Sequence, residues 1–269
     1  MTELTEVLLV KIGGGADLNL DGIAADLARV PGPVVVVHGA NALRDRLATR
    51  LGYQKRVITS VSGYDSVYSD DEAIELLMLA YAGLANKRIV EQFQRHGRNA
   101  IGLTGMDGRL VGATRNKGIR VREGGKTLLV RDRSGKPTSV NATLLHQLLD
   151  GGYTPVITVP LIDETGMAVN AENDDVVVAL QGVVRAARIV QLIEAPGLLA
   201  NRDDPGSVIA RVSVPELERL EAAATGRFKR KLYALRKLFQ GGAPVVTIAD
   251  GRTPHPVADA LAGTGTIIG

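Results

Sequence analysis

The sequence of 269 residues predicts an α/β protein with a mainly parallel central sheet sandwiched by helices and a protruding basic β-hairpin. Short apolar runs of strand length alternate with amphipathic segments along the whole chain, as they do in βαβ proteins. Hydrophobic residues make up 45% of the chain, whereas aromatic residues make up 3% and Trp is absent. The core must therefore be built from Val, Leu, Ile and Ala, and it is large enough for one domain or two lobes.

The first predicted strand ends in an unusual way. Residues 7–10 are apolar and indicate a buried strand, but Lys11 follows at once, and then Gly13, Gly14 and Gly15. A strand that runs through glycines into a helix exposes backbone amides and the positive end of the helix dipole. The pattern indicates an anionic ligand beside Lys11, although a simple glycine turn with a solvated lysine has the same sequence signature.

Further strands and helices are predicted in order. The spacing of Ser69 and Glu72 is that of a capping box and predicts the start of a long helix that stops at Gly97. The other predicted elements are strands at Val34–Val37, Asn99–Leu103, Pro155–Val159, Arg188–Ile193, Val245–Ile248 and 265–269, and helices at Leu43–Leu51 and Asn141–Leu149.

Basic residues are clustered although the net charge is only +3. The stretch from Gly118 to Asp132 alternates apolar and polar residues on both sides of Gly124-Gly125, which predicts a hairpin with a basic exposed side. A second cluster, between Arg227 and Lys237, contains six Lys or Arg and no acid. Such clusters are most often solvated faces, but two of them make an anionic partner worth testing.

Several common chemistries are excluded by missing motifs. The chain has no Cys, no P-loop, no Gly-x-Gly-x-x-Gly after the first strand and no Gly-x-Ser-x-Gly, and its four His are scattered. We expect a soluble cytoplasmic protein, because no apolar run has the length of a membrane span and the N-terminus lacks signal-peptide character. Glycines and lysines at strand ends suit phosphoryl transfer, in which catalysis is mostly positioning and charge neutralisation.

Five segments in this order resemble the amino-acid kinase family over essentially the whole chain. They are residues 81–88 (YAGLANKR), 101–108 (IGLTGMDG), 169–175 (VNAENDD), 195–199 (APGLL) and 226–231 (GRFKRK). The resemblance is closest to the acetylglutamate kinase branch. Within that branch it is closest to kinases that act on an amino acid carried by LysW, a small acidic carrier protein, in lysine or arginine biosynthesis.

The resemblance implies roles for individual residues, with ATP and Mg²⁺ as cofactors and no metal ligand from the protein. The implied catalytic residues are Lys11, Asp174 and Lys231. The implied phosphate and nucleotide contacts are Gly13, Gly14, Gly39, Ala195, Pro196, Gly197 and Lys229. The implied substrate contacts are Gly39, Ala40, Val67 and Asn170. For Asn170, Asp174 and Lys229 the alternatives are a helix cap, a solvated first-turn acid and a surface lysine.

The expected reaction is phosphorylation of the side-chain carboxylate of an N-blocked acidic amino acid, which gives an acyl phosphate. Carrier-linked α-aminoadipate or glutamate is the expected acceptor. Free N-acetyl-L-glutamate is the alternative, and a non-catalytic binding or regulatory protein with this fold is an alternative of another class. Residues 1–165 would form the lobe that binds the acceptor and contacts a second copy in a homodimer, and residues 166–269 would form the nucleotide lobe. Neither nucleic acid nor a membrane is expected as a partner, because the basic clusters lack interleaved aromatic residues and an apolar face.

Two positions depart from the family pattern. The strand end His38-Gly39-Ala40 has Ala where the family has a third-position Gly, which is tolerable if φ stays negative. Val67 stands where the family has an arginine that clamps the α-carboxylate of the substrate, and valine cannot make that bond. Either Arg56 or Lys55 supplies the charge, or the substrate differs in this region.

Overall fold

A computed structural model describes residues 6–61, 63, 65–123, 125–201 and 203–269, with the backbone but not the side chains of Asp65, Ser66, Glu123 and Arg227. The strands are β1 (Leu8–Ile12), β2 (Val34–His38), β3 (Val57–Thr59), β4 (Asp65–Val67), β5 (Ala100–Thr104), β6 (Val111–Arg115), β7 (Ile119–Glu123), β8 (Lys126–Val130), β9 (Gly135–Val140), β10 (Thr154–Thr158), β11 (Leu161–Asp163), β12 (Ala168–Val169), β13 (Arg188–Ile193), β14 (Arg211–Val212), β15 (Val246–Asp250) and β16 (Thr266–Ile268). The helices are α1 (Leu20–Arg29), α2 (Asn41–Leu51), α3 (Asp71–Leu77), α4 (Asn86–Arg95), α5 (Ala142–Asp150), α6 (Asn173–Val184), α7 (Val214–Ala223), α8 (Gly226–Gln240) and α9 (Pro256–Leu261), with a π-helical segment at Met78–Ala85 and a 3₁₀ turn at Asp107–Arg109.

An eight-stranded sheet lies at the centre of the fold, in the order β14-β16-β15-β13-β1-β2-β10-β5. Strand β1 pairs in parallel with β2 on one side and β13 on the other, while β16 runs antiparallel to β15. The prediction of a mainly parallel sheet is confirmed. Because parallel strands end at the same edge, the segments that follow β1, β2 and β13 are brought together there.

The two faces of β1 pack against different helices. Leu8, Val10 and Ile12 belong to a buried cluster with residues of α1, α4 and α9. Leu9 belongs to a second cluster, which contains residues of α5, α6 and α8. Successive side chains of a strand point to opposite faces, so Lys11 lies on the same face as Leu9 and points toward α6 and α8.

The long helix begins one residue later than the predicted capping box requires. Asp70 is the N-cap, and its Oδ1 accepts a hydrogen bond from the amide of Ala73 at 2.8 Å. Ser69 instead donates its hydroxyl to the Val67 carbonyl at 3.2 Å, so the prediction of Ser69 as the cap was wrong. Both residue types are good caps, and the side chain that faces the first free amides takes the role.

The predicted hairpin is present as the antiparallel pair β7–β8. It is attached to β3 through a bridge between Ser60 and Val121 and a hydrogen bond from the Val61 amide to the Arg120 carbonyl at 2.8 Å. Gly124 in the turn lies outside the described residues. The remaining strands form a four-stranded sheet, in the order β12-β11-β6-β9, and the two-stranded pair β3–β4.

The division into lobes at residues 165 and 166 stays a prediction. It falls between β11 and β12, which pair with each other, while the parallel pairing of β1 with β13 joins both halves of the chain in one sheet. Within the described residues, no helix combines the length and the apolar character needed to cross a membrane.

The cap of the long helix gives a test of these local assignments. Replacing Asp70 with Ala removes the acceptor for the Ala73 amide and for the Tyr53 hydroxyl, so we expect a loss of about 1 kcal/mol in the free energy of unfolding. Glu72→Ala is the matched control, because Glu72 is exposed and would matter only in a box with Ser69. Urea unfolding of the two variants decides between the assignments, and a larger loss for Glu72→Ala would contradict the cap seen here.

Candidate active site

An ion pair joins the end of β1 to the start of α6. Lys11 Nζ lies 2.9 Å from Asp174 Oδ1, and the two side chains are 11% and 19% exposed. Asp174 is in the first turn of α6, where the free amides and the helix dipole favour a negative charge. The lysine that ends β1 and the acid at the start of α6 are therefore in close contact, and both side chains are largely buried.

Lys231 completes a cluster of three charges from the second turn of α8. Burial alone would raise the pKa of Asp174, but Lys11 and Lys231 outweigh it and lower that pKa to about 2. Burial and the charge of Lys11 lower the pKa of Lys231 to about 8, although Asp174 opposes this. Asp174 is therefore ionised at neutral pH, and the cluster carries one net positive charge.

Helix α8 is held against the start of α6 by further ion pairs. Arg230 contacts Glu172, and Lys237 Nζ lies 3.2 Å from Asp175 Oδ1. These pairs flank Lys231 and Asp174 on the same two helices, so they fix how the second lysine approaches the acid.

Two glycines bring the ends of β1 and β2 into direct contact. A Cβ on Gly14 would lie 2.6 Å from the Asn41 nitrogen, and a Cβ on Gly39 would lie 3.0 Å from the Gly14 nitrogen. A side chain at Gly14 would collide with backbone, so this position requires glycine, whereas a Cβ at Gly39 would make a tight contact with the Gly14 backbone. The Gly13 and Gly39 amides are already used, since they donate to the carbonyls of Leu192 and Ile12, each at 2.9 Å.

A buried histidine fixes this glycine contact from behind. Asn86 Nδ2 donates to His38 Nε2 at 3.1 Å, so the proton of His38 lies on Nδ1 and is donated to the Gly39 carbonyl at 3.1 Å. Burial is the main reason why the pKa of His38 falls to about 4, so the ring is neutral. Sequence reasoning missed this network; its signal was Asn86-Lys87 in the segment 81–88.

Ala40 has a negative φ, which is the condition under which alanine is tolerated at this position. Its φ is −153°, which is an ordinary conformation for alanine, at the N-terminal boundary of α2. The side chain is 4% exposed and lies behind the glycines rather than in the cavity described next. Alanine therefore fits in place of the family's glycine without strain.

Most of the predicted site residues line one cavity of about 260 Å³. The predicted residues on its wall are Lys11, Gly14, Gly39, Val67, Asn170, Asp174 and Lys231. Asn170 precedes α6 rather than lying on it, and its Nδ2 donates to the Ser69 hydroxyl at 3.0 Å. Asn170 and Asp174 therefore line one cavity, the first from a loop and the second from a helix start.

Five predicted phosphate and nucleotide contacts do not line this cavity: Gly13, Ala195, Pro196, Gly197 and Lys229. Gly197 packs against Thr266, whose hydroxyl oxygen accepts the Leu198 amide at 2.8 Å. Lys229 lies half-buried in the first turn of α8, two residues before Lys231. Their nucleotide roles stay predictions.

Neither Arg56 nor Lys55 supplies the charge that Val67 lacks. The Arg56 guanidinium stacks 5.1 Å from the centre of the Tyr68 ring, and Lys55 Nζ pairs with Asp45 at 2.9 Å. Neither side chain lines the cavity, whereas Arg44 does. Sequence reasoning missed Arg44, whose only signal was a basic residue in the first turn of the helix that follows Gly39.

A second cavity of about 560 Å³ adjoins the first below the hairpin. The two share Val67, Asn170, Ala171, Glu172 and Arg230 on their walls. Exposed Arg120 and Lys136 also line the second cavity. The charge cluster is therefore connected to the basic hairpin by one continuous opening.

A strand-end lysine, an aspartate at a helix N-terminus, a second lysine and two glycine backbones in contact define a site for phosphoryl transfer. A model of the amino acid kinase family matches residues 6–250, and the chain belongs to this family.

Two relatives match the chain over nearly its whole length. The LysW-aminoadipate kinase of Thermus thermophilus is 36% identical over 268 residues, which cover 97% of this chain and 100% of the relative. The acetylglutamate kinase of Methanopyrus kandleri is 34% identical over 264 residues, which cover 97% and 99%. The predicted branch of the family is confirmed, and the protein is an ATP-dependent kinase. The alternative of a non-catalytic protein is not supported.

Solved structures confirm the fold. N-acetylglutamate synthase from Neisseria gonorrhoeae, complexed with coenzyme A and N-acetyl-glutamate, superposes with a TM-score of 0.79 at 20% identity. The match covers 98% of this chain and 59% of the synthase. At this identity the likeness concerns the fold alone.

The lowered pKa of Lys231 predicts that the catalytic activity depends on pH. Because the free enzyme has this pKa at about 8, Lys231 is protonated below pH 8 and neutral above it. We expect kcat/KM for ATP to fall about tenfold per pH unit above pH 8. Lys231→Arg should remove this limb, because a guanidinium stays charged, even if its maximal rate is lower.

The control for this experiment is Lys237→Arg on the same helix, where the ion pair with Asp175 is kept. It should retain the limb above pH 8. A limb that persists unchanged in Lys231→Arg would show that another group titrates there.

Proposed function

We propose that the protein transfers the γ-phosphoryl group of ATP to the side-chain carboxylate of an N-blocked acidic amino acid and so forms an acyl phosphate. The cluster of Lys11, Asp174 and Lys231 on the wall of one cavity carries this proposal. Two cations held by one ionised acid are suited to a reaction in which negative charges must approach one another.

The acceptor needs no general base. A side-chain carboxylate has a pKa of about 4.3 and is already ionised at neutral pH. The barrier comes from repulsion between this anion and the triphosphate, and Lys11 and Lys231 would neutralise it from two sides as the phosphoryl group passes in line. Asp174 would hold both ammonium groups in position.

The glycine contact would receive the phosphates. No side chain stands between the cavity and the backbone at Gly14 and Gly39, so a phosphoryl oxygen could approach closely. Gly13 would contribute space rather than its amide, which pairs with Leu192. In this proposal the adenosine lies against residues 195–197, with Lys229 beside the phosphates.

Magnesium would be bound to the triphosphate. Among the described residues, no group of three or more His, Cys, Asp or Glu could hold a metal ion, and the one acid of the cluster is committed to lysine. When bound, the ion would offset phosphate charge. The chain's own contribution is to position Lys11 and Lys231.

The proposed acceptor is a carrier-linked α-aminoadipate or glutamate. Relatives named LysW-aminoadipate kinase, at 34% and 36% identity, support it. So does the second cavity, which offers room for the segment that links an acceptor to a carrier. Free N-acetyl-L-glutamate stays the alternative acceptor, supported by the acetylglutamate kinase at 34% identity.

The reaction is tested by trapping the acyl phosphate with hydroxylamine. Lys11→Ala and Lys231→Ala should each lower kcat by about 100-fold or more, the scale seen when one preorganised group at a transition state is removed. The KM for ATP should change much less. Near-normal kcat in both variants would contradict the mechanism, and trapping with free and carrier-linked acceptors side by side would identify the acceptor.

The proposed partner is a small acidic carrier protein of the LysW type. Arg120, Arg122, Lys126 and Arg131 are exposed on and beside the hairpin and give a positive surface, and Arg120 also lines the second cavity. Lys229 and Arg230 on α8 extend it; the side chain of Arg227, also assigned to this surface from the sequence, lies outside the described part. Docking through several exposed charges is fast and sensitive to salt.

Reversing hairpin charges tests this partner. Arg120→Glu with Arg122→Glu should raise the KM for the carrier-linked acceptor, and added salt should have the same effect, while the KM for ATP stays constant. Arg50→Glu is a suitable control, because Arg50 is exposed at the end of α2 and lines neither cavity. A carrier KM that responds to neither change would mean that the hairpin is merely a solvated face.

We also propose a homodimer. Leu79 and Leu84, on the π-helical segment, are 56% and 42% exposed, which is unusual for large apolar side chains of one helix. Their burial against a second copy would remove this surface from water. Light scattering on the purified protein would measure the mass.

A further inference from the structure

Arg44 is a largely buried cation that the proposed chemistry does not yet use. It lies in the first turn of α2, and its side chain is 11% exposed. It lines the cavity of the charge cluster and also a small pocket behind it. Val67 and Asn170 line both of these spaces as well, so all three residues meet at one wall.

The guanidinium is held in place and keeps its charge available. Its Nε and Nη2 donate to Asp45 Oδ1 at 3.0 and 2.8 Å. Lys55 Nζ binds the other oxygen of the same carboxylate at 2.9 Å. One acid is thus shared by two cations, which leaves a net positive charge and the Nη1 of Arg44 for a ligand.

The acceptor of the proposed function carries two carboxylates. One receives the phosphoryl group beside Lys11 and Lys231, and the other, on the α-carbon, must also enter the cavity. An ionised group that leaves water needs a partner of opposite charge. Of the cations on the cavity wall, Arg230 contacts Glu172, and Lys11 and Lys231 belong to the charge cluster, which leaves Arg44 for the α-carboxylate.

We infer that Arg44 binds the α-carboxylate of the acceptor and thereby takes over the clamp that Val67 cannot provide. The inference rests on the proposed function. Val67 and Arg44 line the same cavity from β4 and from α2, so a guanidinium from either element reaches the same space. The arginine that binds the α-carboxylate would then stand at a different position in the sequence but line the same part of the cavity.

The test compares an acceptor with and without its α-carboxylate. N-acyl-L-α-aminoadipate has it, and 5-(acylamino)pentanoate lacks it but keeps the reacting carboxylate; the acyl group on the nitrogen is acetyl in the free acceptors and the C-terminal end of the carrier in the carrier-linked ones. Arg44→Met should lower kcat/KM for the first by about 10- to 100-fold, the scale of charge-assisted hydrogen bonds, and leave the second and the KM for ATP unchanged. A merely structural role would lower both acceptors equally.

Two further variants sharpen the result. Arg44→Met combined with Val67→Arg should regain most of the lost kcat/KM, because the guanidinium returns to the same wall from β4. Arg50→Met, on the exposed end of the same helix, should behave as the unmodified protein. Equal losses on both acceptors, or no loss with Arg44→Met, would overturn the role of Arg44. No hydroxamate from the unmodified protein with any of these acceptors would instead overturn the proposed function.

Discussion

The ion pair between Lys11 and Asp174 is the constraint on which the rest of the site depends. A lysine at the end of a central strand is costly unless an acid meets it, and removing one partner of a buried pair typically costs about 3–5 kcal/mol. Asp174 is supplied by the first turn of α6, so the pair at 2.9 Å fixes where that helix begins relative to β1. Helix α8 is then fixed by its own pairs with the start of α6, and it carries Lys231 to the same point.

The positive charge of this arrangement is not fully neutralised, so it favours the binding of an anion. Two lysines share one acid, and the lowered pKa of Lys231, at about 8, shows that the second ammonium is not fully compensated. A phosphoryl group between the lysines would supply the missing negative charge. The donors are already oriented before the nucleotide arrives, so little reorganisation is needed during the reaction.

The central sheet could be predicted because its signals are local. Four valines at Val34–Val37 and the apolar run before Lys11 are buried on both faces, and such runs are typical of parallel strands. The face of the sheet to which Lys11 points could also be predicted, because successive side chains of a strand point to opposite faces. The cap at Asp70 could not be chosen from sequence, because Ser69 and Asp70 are both good caps and only the packing of Ser69 against Asn170 separates them.

The site residues that could be predicted from the sequence are those whose role depends on the backbone. A Cβ at Gly14 collides with backbone and one at Gly39 makes a tight contact with it, so the approach of the two strand ends favours glycine at both positions. Arg44 was not predictable, because its role depends on how α2 is oriented across the cavity and not on any spacing in the chain. The electrostatic energy of a cation and a carboxylate depends on their distance and on the surrounding dielectric, not on which element holds the cation. An arginine on α2 can therefore replace one on β4. Val67 lines both cavities, and because valine is smaller than arginine it leaves more room at the place where a carrier-linked acceptor would pass.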